Sequence, residues 1–63
     1  MIEVEYYYKH KITGEWKKAY VYFQDVNKAV RFLYKCKSDK YMYPGDYSCD
    51  NQWETEEIQR RFK

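Results

Sequence analysis

The chain has little of what catalytic and metal-binding sites are usually made from. Its 63 residues include one histidine, two cysteines, two glycines and one proline. A zinc centre needs four ligands in paired spacings, and His10, Cys36 and Cys49, with no CxxC among them, cannot furnish a standard set. Two isolated glycines, Gly14 and Gly45, build no phosphate-cradling loop. General acid–base chemistry draws on a histidine or paired carboxylates in a concave site. His10 falls near a hairpin tip, where an exposed imidazole is expected, and Cys36 falls on the inner side of a helix, where it packs. The expectation is therefore a non-enzyme with no catalytic residue, no metal and no cofactor. No apolar run approaches the ~20 residues of a membrane span. The opening MIEVEYYYKH alternates in polarity and lacks the apolar segment of a signal peptide. A soluble cytoplasmic protein with two reduced thiols is expected, a Cys36–Cys49 disulfide being the alternative.

What the chain does have is rings. Aromatic residues make up 22% of it: nine tyrosines, three phenylalanines and two tryptophans. Tyrosine packs like an apolar ring but keeps a hydroxyl that needs a partner, so it suits both cores and contact surfaces. Scarce glycine and proline argue against disorder, and residues 1–63 read as one compact domain. Below about 70–80 residues an apolar core is thin, so large rings help to stabilise it. The net charge of +2 is too mild to indicate nucleic-acid binding. Its distribution is uneven. Lys28, Arg31, Lys35, Lys37 and Lys40 make the middle basic, whereas Asp46, Asp50, Glu54, Glu56 and Glu57 make the end acidic. Such a dipole can orient an approach to a charged partner.

Residues 2–9 alternate, with Ile2, Val4, Tyr6 and Tyr8 on one side and Glu3, Glu5, Tyr7 and Lys9 on the other. Residues 16–24 are again rich in strand formers, and Thr13-Gly14 between the two runs marks a hairpin turn. A tight turn there pairs Val4 with Phe23, Tyr6 with Val21, and Tyr8 with Ala19. On the second face it pairs Glu5 with Tyr22, Tyr7 with Tyr20, Lys9 with Lys18, and Lys11 with Trp16. A one-residue slip would mix apolar and polar faces. Residues 25–37 read as an amphipathic helix capped by Asp25, with Val26, Ala29, Val30, Phe32, Leu33, Tyr34 and Cys36 inward and Asn27, Lys28, Arg31 and Lys35 outward. Pro44-Gly45 is a turn signal, so Tyr41–Tyr43 and Tyr47–Cys49 form either a short hairpin or a third strand after an irregular loop. From Asn51, a capping-box residue with Glu54, a second helix runs to Arg60, Arg61 and Lys63, with Ile58 and Phe62 on one face and Trp53 near it. The fold class is α+β: an N-terminal hairpin packed by a helix, a Tyr-rich turn or third strand, and a C-terminal helix.

The candidate site is the hairpin's second face: Tyr7, Trp16, Tyr20 and Tyr22 interleaved with Lys9, Lys11 and Lys18. Three readings are open. The C-terminal helix covers these rings through Trp53, Ile58 and Phe62. Alternatively, the rings are rigid anchors for a protein partner. Or bases stack on them while lysines hold phosphates, as in single-strand binders, although no RRM-type sequence motif is present. Lys28, Arg31 and Lys35 offer an alternative basic face, most simply a solvated helix side and otherwise a contact for phosphates or an acidic partner. Glu54, Glu56 and Glu57 complement the helix dipole, or imitate phosphates.

As a whole the chain resembles small accessory proteins of bacteriophages of low-GC Gram-positive bacteria. The likeness lies in its short length, its start on a strand (MIEVEYYYK), its abundant Tyr and Lys with few Ala, Pro and Gly, and its charged terminal helix (WETEEIQRRFK). The resemblance implies a cytoplasmic binder of a host protein or nucleoprotein, a takeover factor or an inhibitor of a defence system. The expected mechanism is occlusion through the aromatic and basic surface. A nucleic-acid-binding module and a homo-oligomerising domain are the alternatives, an uncovered aromatic face favouring a dimer.

Overall fold

Five elements follow one another in the computed structural model, which describes residues 1–62: β1 (Ile2–Lys9), β2 (Trp16–Phe23), α1 (Val26–Ser38), β3 (Met42–Cys49) and α2 (Gln52–Arg61). Lys63, expected to help close the last helix, lies outside the described residues. The strands form one antiparallel sheet in the order β2-β1-β3, and the class is α+β.

β1 is the central strand because its alternation gives both neighbours a consistent face. Ile2 and Val4 are fully buried, while Glu3 and Glu5 look the other way. β2 pairs with it in a register that differs from the expected one by two residues: Ile2 meets Phe23, Val4 meets Val21, Tyr7 meets Lys18, and Lys9 meets Trp16. The turn explains the difference. His10 through Glu15 form a six-residue loop closed by His10 N–H to Glu15 O and Gly14 N–H to His10 O, each 2.8 Å. The His10 ring accepts at Nδ1 from the N–H groups of Ile12 and Thr13, and Thr13 Oγ1 accepts from Glu15 N–H. Gly14 supplies the one positive φ among the described residues, 75°. A two-residue shift returns every side chain to its own face, so the faces are as expected although the partners are not. The expected Lys9–Lys18 repulsion is avoided.

β3 is a single eight-residue strand that runs through Pro44-Gly45 without turning. The register slips there, so that Gly45 and Asp46 together oppose Glu5, a bulge that absorbs the extra residue. Glycine is needed for room: a Cβ at position 45 would lie 2.8 Å from the backbone oxygen of Glu5.

Both helices lie on the Ile2/Val4 face. Asp25 caps α1 by accepting from Asn27 N–H at 2.8 Å, and Val26, Ala29, Val30, Leu33 and Cys36 turn inward. Ile58 brings α2 into the same core, where burial of each large aliphatic side chain contributes roughly 1.5–3 kcal/mol. α2 docks beside α1: Tyr34 donates to Arg61 O, Arg61 Nη1 donates to Asn27 Oδ1 at 2.6 Å, and the Tyr34 and Phe62 rings meet edge to face. Glu54 is buried without loss of partners, its carboxylate accepting from the backbone N–H and Nδ2 of Asn51. The core gathers at one end of the sheet, and beyond Val4 no β1 residue is buried. The Cα radius of gyration, 12.0 Å, exceeds the roughly 11 Å of a spherical chain this long, because the hairpin extends the molecule to 39 Å.

Candidate binding surface

The second face of the sheet is open. α2, one of the possible covers for it, packs instead with α1 on the first face, and Trp53 points to solvent. Trp16, Tyr20, Tyr22 and Tyr43 are each exposed by half or more, at 51%, 52%, 56% and 64%. All four project from this one face, since they pair across the strands with Lys9, Glu5, Glu3 and Tyr7.

The structure brings Tyr7, Lys9, Trp16, Lys18, Tyr20 and Tyr22 together as expected. It does not place Lys11 with them. Lys11 lies in the His10–Glu15 loop, because that loop consumes the residues a tighter turn would have left in the strands. Lys28, Arg31 and Lys35 are exposed on α1, on the opposite side of the sheet. Tyr43 belongs to the face although its strand was obscured by the Pro-Gly pair. Its ring centroid is 6.4 Å from that of Tyr7, and the two line an apolar depression of about 240 Å³ with Trp16.

Glu3 and Glu5 also belong to this face, which the alternation of β1 already placed there. Tyr22 donates its hydroxyl to Glu3 Oε2 at 2.9 Å, and Tyr7 donates to Glu5 Oε1 at 3.1 Å. Both phenols are raised above their ordinary pKa, chiefly because that hydrogen bond favours the protonated form, with desolvation and the adjacent negative charge acting in the same direction. Lys18 reaches Glu5 Oε2 at 3.8 Å and lies over the Tyr7 ring, 5.8 Å from its centroid. The face is thus polarised along the strands. At one end Glu3, Glu5 and Asp46 line an acidic hollow with Tyr20, and at the other Trp16, Tyr7 and Tyr43 stand among Lys9 and Lys18.

Cys36 and Cys49 are free thiols, and burial pushes the Cys36 thiol up. Among the described residues no group of three His, Cys, Asp or Glu side chains converges as a metal site, and no helix is long and apolar enough to cross a membrane. Compared with protein-family models, curated proteins and solved structures, the chain matches none.

Proposed function

We propose that the protein is a non-catalytic binder that occludes a protein target with the open face of its sheet. The observation that carries this reading is the segregation of exposed rings: Trp16, Tyr20, Tyr22 and Tyr43 share a face from which both helices are absent. Rings of this kind give large contact area at low side-chain entropy cost, and they dominate binding energy where they are desolvated. The apolar depression between Tyr7, Trp16 and Tyr43 is the natural centre, with Lys9 and Lys18 at its margin to orient the approach. Resemblance to phage accessory proteins suggests a host protein or nucleoprotein as the target, and takeover or inhibition of defence as the outcome.

Carboxylates favour protein over single-stranded nucleic acid. Glu3, Glu5 and Asp46 share the face with the rings, and one of its lysines, Lys18, is engaged by Glu5. A strand of phosphates laid along β1 would meet negative charge over half its path.

Affinity capture from host lysate tests the reading, with Tyr7→Ala, Trp16→Ala and Tyr20→Ala as the first substitutions. Loss of a captured protein in folded variants supports it. Capture that is indifferent to all three changes, or that survives only through nucleic acid and disappears on nuclease treatment, rejects it.

A further inference from the structure

β2 and β3 are the two edges of the sheet, and their backbones present different things. His10 N–H bonds across the hairpin to Glu15 O, while Lys9 N–H bonds in the other direction to Tyr41 O. In an antiparallel ladder the bonding pairs alternate, so even-numbered residues of β1 bond to β2 and odd-numbered ones to β3. It follows that Lys17, Ala19, Val21 and Phe23 turn their amides inward to β1. Trp16, Lys18, Tyr20 and Tyr22 turn theirs to the outer edge. On β3 the same phase puts Pro44 at an outward position, where it offers no N–H, and the Gly45–Asp46 bulge follows at once. That edge is blunted. β2 is eight residues long, pairs without a break and contains neither proline nor bulge.

The surroundings of the bare edge have a charge. Phe32 packs on Phe23 at 5.5 Å and on Tyr6 at 5.0 Å, so its flank of α1 overlies the hairpin. Asn27 and Tyr34, on the other flank, hold α2. Lys28 follows Phe32 around the helix on the hairpin side, with Lys35 and Arg31 next to it. None of these three cations makes an ion pair with another described residue. Lys17 projects from the same face of β2 as the helices, with Glu15 at 3.8 Å, and Asp25 is engaged as the cap of α1. Joining two copies β2 to β2 about a twofold axis would set both cationic flanks side by side, which like charge opposes.

We propose that the outer edge of β2 accepts an extended acidic segment of the target as a fourth strand. Its main chain bonds to the outward amides and carbonyls of Trp16, Lys18, Tyr20 and Tyr22. Alternate side chains lie against the rings of the open face, and the intervening carboxylates meet Lys17, Lys28 and Lys35. This rests on the open face being the binding surface and adds how the target is held and what charge it carries.

Amide hydrogen exchange by NMR, with a soluble peptide of alternating valine and glutamate as the probe, tests it. In the protein alone the amides of Lys18, Tyr20 and Tyr22 exchange fast and those of Ala19 and Val21 slowly. The peptide slows the fast set about tenfold or more, and a valine–lysine peptide does not. Tyr20→Pro removes one outward N–H and abolishes the protection, whereas Tyr20→Ala, which loses the same ring, retains part of it. Thermal unfolding of both variants checks that the sheet survives. If the peptide leaves the edge amides fast, or if the lysine peptide protects them equally, the proposal is overturned. Edge protection that rises with protein concentration without peptide overturns it in favour of a second copy. Lysate capture distinguishes the underlying reading: a target lost with the Tyr7 and Trp16 rings while the edge amides stay fast retains the open face and removes the added strand.

Discussion

The two faces of the sheet are made from alternate residues of the same three strands, and both are rich in rings, yet only one is covered. On the covered side Tyr6 meets Phe32 edge to face at 5.0 Å, and Phe32 meets Phe23 in turn. On the open side Tyr22 and Tyr7 direct their hydroxyls to Glu3 and Glu5, and Trp16 and Tyr43 flank a hollow. What separates the faces is not the rings but the aliphatic residues. Ile2, Val4 and Val21 lie on one side, and on the other the corresponding places hold Glu3, Glu5 and Tyr20 or Tyr22. Each helix brings an aliphatic arc, and Ile58 takes α2 to the face where Ile2 and Val4 exclude water. Aromatic content alone therefore does not tell a core from a contact surface; its aliphatic company does.

The largest way to break the contrast is to empty the covered face. Leu33→Ala should cost about 2–5 kcal/mol in urea denaturation, a large share of what a chain of this length holds at roughly 0.05–0.15 kcal/mol per residue. Tyr20→Ala, on the open face, should cost less than about 1 kcal/mol. Equal losses from the two would mean that the open face is covered in solution. Gly45→Ala should cost roughly 1–3 kcal/mol by the same measurement, since the new methyl is forced against Glu5 O. Because Glu5 carries Tyr7 and Lys18, the disturbance should reach the open face as well, visible as shifted ring resonances of Tyr7. Asp25→Ala should remove about 1 kcal/mol by uncapping α1 while leaving binding by the open face unchanged.

The smallest effect is in titration. Tyr7 and Tyr22 should ionise later than an ordinary phenol in a spectrophotometric titration, and Glu3→Gln should bring Tyr22 back. A phenol raised in the folded state favours its protonated form there. Its contribution to stability is present below the ordinary value of 10.0 and is lost as pH rises through the folded value. Late transitions that persist unchanged in Tyr7→Phe and Tyr22→Phe would assign them to other tyrosines.

Much of this was legible in the chain because the signals were local. The alternation of residues 2–9 gives β1 and both its faces, and Asp25 and Asn51 mark the starts of both helices. Glu3 and Glu5 were equally legible as members of the second face, since they alternate with Ile2, Val4 and Tyr6 along β1. The hairpin register was not legible, because it depends on a loop held by the His10 ring, an arrangement that no turn dipeptide announces. Nor was the course of β3. Pro44-Gly45 has the composition of a turn, and only the approach of Glu5 from the neighbouring strand turns it into a bulge. The destination of α2 was open for a related reason: Trp53, Ile58 and Phe62 fit either face until Ile2, Val4 and Leu33 are assembled.

The two glycines also imply a pattern of inheritance. Gly14 is held by its backbone angle, with the nearest atom to a would-be Cβ 3.9 Å away, so asparagine can replace it among descendants of this sequence. Gly45 is held by crowding alone, with an ordinary φ. Drift at position 45 is therefore tied to the neighbouring strand. A lineage that loses this glycine must lose the bulge with it, by deleting one residue of β3 or moving the chain at position 5, and the two sites should change together or not at all.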